Sequence, residues 1–469
     1  MSFRSSGILA SSTVLLLCPS AGIQDFVADR EQNPNVHSIV TIELINTGSE
    51  LLLGRVLNTH QQWICRQLAD NGYSVQRQVA VPDGGDAIQQ AVREGLERAD
   101  LVITTGGLGP TCDDLTRDRI AELLGRPLQF NAAVETHIRQ FFESRGRPMP
   151  VRTRVETLVP ESADVWMNAH GTAPGLAMEV PANTTHRGGT PSRLVLLPGP
   201  PRELRPMFLQ QALPAIRRWF PNEDPFVCRT LKTTGLGESL MEERISGPLQ
   251  PLIAAGLDLG FCARVGEVDV RFTARGANAG AQVAEAEAIT RGLVGDTIFG
   301  EQDDRLEEVV IREFASLGKT LAVAESCTGG HLANRLTNVP GASAVLLAGF
   351  VTYANKAKID ILHVPESLLA AHGAVSEPVV RAMSEGARRV MGADYAVATT
   401  GIAGPGGGTA DKPVGTVYIA VAGPQGTEVQ RRLNTFDRET FKFTTCQQAM
   451  ALLRSNVRSV SGKESSANL

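Results

Sequence analysis

The sequence lacks three features that mark whole classes of protein: paired cysteines, long apolar runs and a strong excess of one charge. Its seven cysteines include no CxxC pair, which argues against a disulfide framework and against a zinc knuckle. No apolar run approaches the ~20 residues of a membrane-spanning helix, so no membrane partner is expected. The net charge of −5 leaves no basic excess to neutralise phosphates, which argues against nucleic acid as the main partner. These shortages together predict a globular protein of the reducing cytoplasm.

Glycine, by contrast, is abundant. Of the 469 residues, 46 are glycine and 26 are proline, while only 5% are aromatic. This composition is typical of α/β enzymes, in which glycine-rich loops follow aliphatic strands. A hydrophobic content of 42% is sufficient for packed cores, and the length corresponds to roughly two to four domains.

The first 38 residues are predicted to be a disordered extension. The apolar segment 7–18 imitates the core of a short signal peptide, but Ser11, Ser12 and Thr13 interrupt it. Leu17 is also too bulky for the usual cleavage site of a lipoprotein.

The periodicity of the chain predicts a multi-domain α/β protein. A strand at Val75–Val81, a helix at Gly85–Arg98 and a strand at Leu101–Thr105 form a βαβ unit, which implies a parallel sheet with ligands beyond the carboxyl ends of its strands. Alternating strands such as Val268–Ala274 indicate a smaller module. We therefore expect an α/β domain over 39–215, an α+β connecting module over 216–303 and a second α/β domain over 304–460.

A strand-to-helix corner in the last domain, with the sequence AESCTGGH over 324–331, contains a candidate nucleophile. Backbone N–H groups at the start of such a helix can stabilise an anion or a developing oxyanion, so Ser326 is placed where a nucleophile would be useful. In the alternative interpretation, Ser326 or Thr328 only caps the helix. Cys327 is a rival nucleophile, although no histidine partner accompanies it and a buried structural thiol is more common.

A second segment, VTYANKAK over 351–358, offers a base for that serine. A desolvated lysine with a lowered pKa can take the proton of a serine hydroxyl, and Tyr353 could orient or relay it. The alternative is a solvated pair formed by Lys356 and Lys358. A third segment, TGIAGPGGG over 400–408, is a glycine loop directly after a strand and could form an anion-binding nest.

The first domain contains a comparable loop, TTGGLGPTCDDLT over 104–116. Its glycines would allow close backbone approach to a ligand, and Thr111 is a possible cap. Asp113 and Asp114, together with Glu50 at another strand end, could bind a divalent cation such as Mg²⁺ beside a phosphate. In the alternative interpretation, the two aspartates only complement a helix dipole.

The segments of the last domain, with HGAVSE over 372–377 and KPVGTVYIA over 412–420, resemble the C-terminal domain of the CinA (competence/damage-inducible) family over about 305–455. Active members of that family hydrolyse the carboxamide of nicotinamide mononucleotide to nicotinate mononucleotide and ammonia, without a cofactor. The resemblance implies that Ser326 is the nucleophile, Lys358 the base and Tyr353 its helper. It implies a substrate pocket formed by Thr328, Gly329, Gly330, Asn355, Thr400, Gly401 and Arg438, with Arg438 on the phosphate.

Two departures from the family pattern bear on that site. The family usually has an acidic or neutral residue where Lys356 stands, so an added positive charge is expected to lower the pKa of Lys358 further. Members also commonly have another arginine after Arg438, whereas this chain has FKF over 441–443.

The first domain, with TGSELLLGRVLNTH, HGTAPG and LPGPPRELRPMF, resembles the N-terminal domain of the same family over about 40–215. That domain is related to molybdopterin-binding domains, which implies a three-layer α/β/α fold. CinA members have been assigned a metal-dependent ADP-ribose pyrophosphatase activity, which implies binding by Gly106, Gly107, Gly109 and Thr111. The family often has Gly-Asp-Asn where Pro82-Asp83-Gly84 stands here, which removes an asparagine contact.

The middle module, with TGLGES over 234–239, resembles the KH-like connecting domain of the family. It has neither the GXXG loop nor the basic cluster with which KH domains bind single strands, so it is interpreted as a spacer or dimer element. The leading hypothesis is a homodimeric hydrolase acting on pyridine nucleotides and ADP-ribose. The alternatives are a non-catalytic or adenylylating molybdopterin-binding protein and a competence or DNA-damage adaptor.

Overall fold

The computed structural model describes residues 40–182, 190–222 and 224–467, with side chains up to residue 459. The extension predicted over 1–38 lies outside these residues. The chain forms two compact units, one of residues up to 65 with 73–216, the other of 66–72 with 217 onwards. Within the described ranges, no helix is both long and apolar enough to cross a membrane.

The first unit is built on a six-stranded sheet. The strands of this part of the chain are β1 (Ile42–Thr47), β2 (Val75–Val81), β3 (Leu101–Thr105), β4 (Leu128–Phe130), β5 (Leu158–Pro160), β6 (Asp164–Trp166), β7 (Gly175–Val180) and β8 (Ser192–Leu197). Its helices are α1 (Ser49–Leu52), α2 (Thr59–Ala69), α3 (Gly85–Arg98), α4 (Thr116–Leu123), α5 (Ala132–Glu143), α6 (Pro201–Met207) and α7 (Leu213–Trp219).

The order of the strands is β2-β1-β3-β8-β7-β6, with β4 and β5 paired separately. The first four strands are parallel, as expected, and the central β1 and β3 are buried along their whole length. The expectation of a parallel sheet is wrong for β7 and β6, which are antiparallel. Only residues 167–174 join β6 to β7, which is too short for the crossover that parallel neighbours need.

The parallel strands bring three loops to one edge of this sheet. The loops follow β1, β3 and β8, and they begin at Gly48, Gly106 and Pro198. The Gly106 N–H donates to the carbonyl of Leu197 at 2.9 Å, and the Thr47 hydroxyl donates to the carbonyl of Thr105 at 3.1 Å. The glycine loop of the first domain therefore lies at the carboxyl edge of the sheet, where ligands of α/β domains usually bind.

The connecting module is an antiparallel four-stranded sheet with two helices. Its elements are β9 (Phe226–Thr234), α8 (Glu238–Ala254), β10 (Asp258–Arg264), β11 (Glu267–Arg275), α9 (Ala279–Val294) and β12 (Ile298–Glu301). The order of the strands is β10-β11-β9-β12. Leu231, Val270 and Phe272 face Met241 and Ile245 of α8 in its core, which confirms an α+β module.

The C-terminal domain contains a five-stranded sheet. Its strands are β13 (Leu321–Glu325), β14 (Leu346–Val351), β15 (Tyr395–Gly401), β16 (Thr416–Gly423) and β17 (Gly426–Leu433). Its helices are α10 (Leu306–Ser316), α11 (His331–Thr337), α12 (Asn355–Leu362), α13 (Glu366–His372), α14 (Glu377–Met391) and α15 (Arg438–Ala467). The order is β14-β13-β15-β16-β17, parallel up to β15 and antiparallel beyond it.

Strand β13 separates the two cores of this domain. Leu321 and Val323 belong to the core formed with α10 and α15, whereas Ala322 and Ala324 belong to the core formed with α14. This alternation follows from the period of two in a strand. Helices therefore cover both faces of the sheet, and β13 carries the chain directly into the loop that begins at Ser326.

Candidate functional site

The C-terminal domain brings Ser326 and Lys358 together. Ser326 follows β13, and its N–H donates to the carbonyl of Thr399 in β15 at 3.0 Å. Lys358 lies in α12, and its Nζ is hydrogen-bonded to the Ser326 Oγ at 3.2 Å. The same Nζ donates to the carbonyl oxygens of Thr352 at 2.8 Å and Tyr353 at 3.2 Å. Three hydrogen-bond partners from two segments thus fix the amine beside the serine hydroxyl.

Burial changes the chemistry of this amine. Lys358 has no exposed surface, and the loss of hydration lowers the pKa of its ammonium group. Lys356 does not contribute in the way that the sequence predicts. Its side chain is exposed and pairs with Asp360 at 2.7 Å, so its charge is directed into solvent. A buried lysine, not a solvated lysine pair, therefore faces Ser326.

The N-terminus of α11 is occupied by a carboxylate of the protein. Glu325 is fully buried, and its oxygens accept hydrogen bonds from the N–H groups of Gly330 at 3.0 Å, Leu332 at 3.1 Å and Ala333 at 2.8 Å. The prediction that these N–H groups bind an anion is therefore wrong. Capping by Ser326 or Thr328 is also wrong, because the cap residue is Gly330 and Glu325 supplies the acceptor. Sequence analysis missed this role of Glu325, although a buried strand that ends in glutamate before a helix is a usable signal.

Neither neighbour of Ser326 is suited to nucleophilic attack. Burial raises the pKa of the Cys327 thiol to about 12, so the sulfur stays protonated near neutral pH. The Thr328 hydroxyl is buried and is hydrogen-bonded to that of Thr399 at 2.8 Å. Ser326 is consequently the hydroxyl of this loop that lies next to a base.

Tyr353 and Arg438 meet at the rim of the site. The Arg438 guanidinium donates to the Tyr353 hydroxyl at 2.9 Å and to the carbonyl of Gly404 in the glycine loop at 2.9 Å. Tyr353 is 60% exposed. Its hydroxyl thus binds Arg438, and Lys358 contacts only its backbone carbonyl. This arrangement therefore does not provide a proton relay through the tyrosine hydroxyl.

The remaining predicted pocket residues fall into three groups. Thr400 is buried and donates to the carbonyl of Ala374 at 2.9 Å, and a Cβ on Gly401 would lie 2.8 Å from the carbonyl of Thr416, so both hold the glycine loop. Gly329 and Gly330 have φ of +61° and +92° and shape the turn after Ser326. Asn355 is exposed at the start of α12.

A cationic side chain lies next to this turn although the FKF segment departs from the family pattern. The Nζ of Lys442 would be 3.8 Å from a Cβ placed on Gly329. Phe443 packs edge-on against the His331 ring, with centroids 6.1 Å apart. The segment 441–443 therefore places a lysine, in place of the expected arginine, beside the serine loop.

In the first domain, the glycines of the loop after β3 permit close contacts that other residues could not make. Gly106 and Gly107 have φ of +97° and +68°. A Cβ on Gly106 would lie 2.7 Å from the Thr47 Oγ1, and one on Gly107 would overlap the Thr116 Oγ1. A Cβ on Gly109 would lie 2.6 Å from the Asp114 Oδ2. The glycines are thus required by the protein's own packing.

The three predicted metal ligands do not come together. Asp114 accepts hydrogen bonds from both the N–H and the hydroxyl of Thr111, which closes its own loop. Asp113 and Glu50 are exposed, and Glu50 folds back over Gly48. Across 40–182, 190–222 and 224–467, no group of three or more His, Cys, Asp or Glu side chains is arranged to hold a metal ion. These residues as arranged do not fit a metal site.

Asp83, at the end of β2, holds the loop that carries Glu50. Its carboxylate accepts from the Ser49 N–H at 2.8 Å, and its own N–H donates to the Ser49 hydroxyl at 3.2 Å. The Pro82-Asp83-Gly84 segment therefore has a structural contact of its own in place of the expected asparagine.

A buried carboxyl that was not predicted from the sequence, Glu156, lies near the glycine loop 106–116. Glu156 has no exposed surface, and its Oε1 accepts from the Thr172 hydroxyl at 3.1 Å. No hydrogen-bond partner for its Oε2 occurs among the residues that the structure describes. Burial raises the pKa of Glu156 to about 7, although Arg117 acts in the opposite direction. Glu203 lies nearby and accepts from the Asn168 amide at 2.9 Å. Glu156 could not be found from the sequence because it lies in a 3₁₀ helix, Val151–Thr157, that is too short to show a periodic pattern.

Family models match nearly the whole described chain. The CinA C-terminal domain matches residues 303–457, a probable molybdopterin binding domain matches 43–218, and the damage-inducible protein CinA KH domain matches 228–300. These matches confirm the three kinds of domain expected from the sequence, and with them the multi-domain α/β fold.

Similar proteins extend over most of the chain. A CinA-like protein from Akkermansia muciniphila is 44% identical over 415 residues, which cover 88% of this chain and 96% of the relative. A putative competence-damage inducible protein from Symbiobacterium thermophilum is 43% identical over 427 residues, with coverage of 88% and 97%. A solved competence/damage inducible protein from Agrobacterium tumefaciens is 42% identical and covers 32% of this chain and 92% of its own, with a TM-score of 0.31. The chain belongs to the CinA family.

Proposed function

We propose that the C-terminal domain is an amidohydrolase that converts nicotinamide mononucleotide to nicotinate mononucleotide and ammonia. The observation that supports the proposal is the 3.2 Å contact between the Ser326 Oγ and the Lys358 Nζ, made by an amine whose burial lowers its pKa. A serine hydroxyl is a weak nucleophile until an adjacent base takes its proton. A buried neutral lysine is such a base.

The hydrogen bonds of Lys358 suit the neutral amine. A neutral amine has two N–H donors and one lone pair, and two backbone carbonyls accept from Lys358. With both donors used in this way, the lone pair is left for the Ser326 hydroxyl. The backbone thereby orients the base without a second ionisable side chain.

The reaction then takes place in two halves. The Ser326 Oγ attacks the carboxamide carbon, and its proton moves to the Lys358 Nζ. The C–N bond breaks as Lys358 returns the proton to the leaving nitrogen, which departs as ammonia. Water attacks the resulting ester as Lys358 accepts one of its protons, and the ester C–O bond breaks as Lys358 returns that proton to the Ser326 Oγ, which releases the carboxylic acid and restores both the serine hydroxyl and the neutral amine. In this proposal Arg438 and Lys442 bind the phosphate of the nucleotide.

Ammonia release from nicotinamide mononucleotide by the full chain, measured in EDTA, tests the proposal. We expect Ser326→Ala and Lys358→Met to lower the rate at least about a hundredfold, the scale of general-base catalysis. Lys356→Met is the matched control because it removes an exposed lysine two residues away, and it should retain the wild-type rate. Full activity of Ser326→Ala, with an unchanged circular dichroism spectrum, would refute the assignment.

The first domain supports a second candidate, an ADP-ribose pyrophosphatase that uses a divalent metal. The supporting observation is the buried Glu156 near the loop 106–116, with the segment 168–172 and Glu203 close to it. The predicted metal ligands Glu50, Asp113 and Asp114 do not lie together in this arrangement. Turnover of ADP-ribose that resists a chelator, or that Asp114→Ala leaves unchanged, would contradict this candidate. Retention of molybdopterin or transfer of AMP by the purified protein would favour the alternatives.

A further inference from the structure

A cavity of about 560 Å³ lies within the second unit, between the connecting module and the C-terminal domain. The connecting module contributes the loop Gly235–Gly237 and the turn between β10 and β11. The C-terminal domain contributes the end of β17 and one side of α15. The lining contains neither Ser326 nor Lys358. The volume is in the range of cavities that bind small molecules, so the cavity is a candidate site distinct from the serine site.

The charged groups of the cavity favour an anion at one end. Arg432 hydrogen-bonds the neutral Gln430 at 2.7 Å and, within the described part of the chain, forms no ion pair. The 17-residue helix α8 begins here after Gly237, which offers no side-chain cap, and the N-terminus of a helix attracts anions. Two acidic residues, Glu238 and Glu267, also line the cavity. Burial raises the pKa of Glu267, which weakens its opposition to an anion.

The other groups of the cavity suit a planar ring with polar edges. Phe436 is 51% exposed and offers an aromatic face, and Leu236 lies in the facing loop. Asn434 and Gln448 donate to each other at 2.9 Å, so their carboxamides are held in place. Fixed carboxamides beside an aromatic face are the groups with which proteins recognise nucleobases.

We propose that this cavity binds a nucleoside phosphate, with the phosphate near Arg432 and the N-terminus of α8 and the base against Phe436.

The cavity is connected to the serine site by hydrogen bonds. The Gln447 amide, which lines the cavity, donates to Glu267 of β11 at 2.5 Å and accepts from Arg335 of α11 at 2.6 Å. Helix α11 is the helix whose first turn Glu325 holds next to Ser326. Helix α15 also begins with Arg438 at the rim of the serine site. A ligand in the cavity therefore contacts elements that position the nucleophile.

Hydrogen exchange of the full chain, read by mass spectrometry, tests the proposal with AMP as the probe. We expect saturating AMP to slow exchange in peptides that cover 235–241 and 441–452. Arg432→Gln should weaken this effect by about tenfold in AMP concentration, the loss expected for one charge-assisted hydrogen bond. Arg431→Gln is the matched control, because Arg431 lies on the opposite face of β17 and donates to the carbonyl of Asp411.

Three results would overturn the proposal: no slowing in these peptides, equal slowing in wild type and Arg432→Gln, or slowing confined to 326–331. Adenosine and inorganic phosphate are the comparison probes. Slowing by adenosine equal to that by AMP would refute phosphate recognition, and slowing by inorganic phosphate equal to that by AMP would refute base recognition. The measurement does not depend on ammonia release, so failure of the proposed amidohydrolase is distinguishable from failure of this site.

Discussion

Replacement of Glu156 by glutamine should stabilise the first domain, and the gain should grow with pH. The glutamine oxygen can keep the contact with the Thr172 hydroxyl, which donates to Glu156 at 3.1 Å. The amide would replace the Oε2, for which the described part of the chain offers no hydrogen-bond partner. The substitution therefore removes a charge and leaves the shape of the side chain almost unchanged.

The magnitude follows from the pKa of this carboxyl. Burial raises the pKa of Glu156 from 4.5 to about 7, so the folded state holds a proton that the unfolded chain has already lost. At 1.36 kcal/mol per pKa unit, this gap corresponds to about 3 kcal/mol. The cost to the folded state begins as the pH rises through 4.5 and is complete above about 7. Between pH 5 and pH 8 the advantage of Glu156→Gln should increase by about 2.5 kcal/mol.

Urea unfolding followed by tryptophan fluorescence provides the assay. Of the three tryptophans, Trp63 and Trp166 lie in the first unit, and Trp219 lies three residues beyond its last residue, so two of the three fluorophores report on the first unit in the full chain. Glu143→Gln, at an exposed position at the end of α5, is the control and should show the same difference from wild type at every pH. A Glu156→Gln advantage that stays constant from pH 5 to pH 8 would refute a protonated Glu156.

Three further predictions concern the C-terminal domain. The rate of ammonia release should rise with pH through the lowered pKa of Lys358, because only the neutral amine can accept the Ser326 proton. A rate independent of pH between 6 and 10 would contradict a lysine base. Glu325→Gln should lower the free energy of unfolding by about 1–3 kcal/mol, since an amide cannot accept all three N–H hydrogen bonds of α11. Thermal unfolding followed by far-UV circular dichroism measures this change. An unchanged unfolding midpoint would exclude the capping role. Tyr353→Phe should raise KM by severalfold with kcat nearly unchanged, because it removes the Arg438 contact at 2.9 Å but not the backbone carbonyl that holds Lys358. A large loss of kcat would instead support a proton relay through the tyrosine hydroxyl.

Much of the C-terminal site was predictable from the sequence because its parts are local. Apolar runs followed by small residues and glycine predict strands that end in ligand loops, and parallel strands such as β13 and β14 end at one edge. The chain leaves this edge at Ser326 and at Thr352, and one turn of α12 then carries Lys358 back to the serine. The family resemblance adds roles to these residues, and the geometry brings Ser326 and Lys358 into contact independently of it.

The parts that could not be predicted depend on contacts distant in sequence or on competing partners. Glu156, in the short 3₁₀ helix Val151–Thr157, meets Thr172 and the charge of Arg117 only through tertiary packing, which leaves no periodic signal in the sequence. Asp114 was a reasonable metal ligand by residue type, but Thr111 is three residues away and offers both an N–H and a hydroxyl. The helix N-terminus at Gly330 was a reasonable anion site by its geometry, but the carboxylate of Glu325 already accepts hydrogen bonds from its N–H groups. At Asp114 and at Gly330, a nearby group of the protein satisfies the chemistry that a ligand was expected to satisfy.

The way in which Lys358 is held has a consequence for how this site tolerates mutation. Two of its three hydrogen-bond partners are main-chain carbonyls, at Thr352 and Tyr353. Every amino acid supplies the same carbonyl, so the identities of these side chains can drift among homologues while the base stays in place. The constraint falls instead on backbone conformation, and insertions or deletions between β14 and α12 should be rarer than substitutions there.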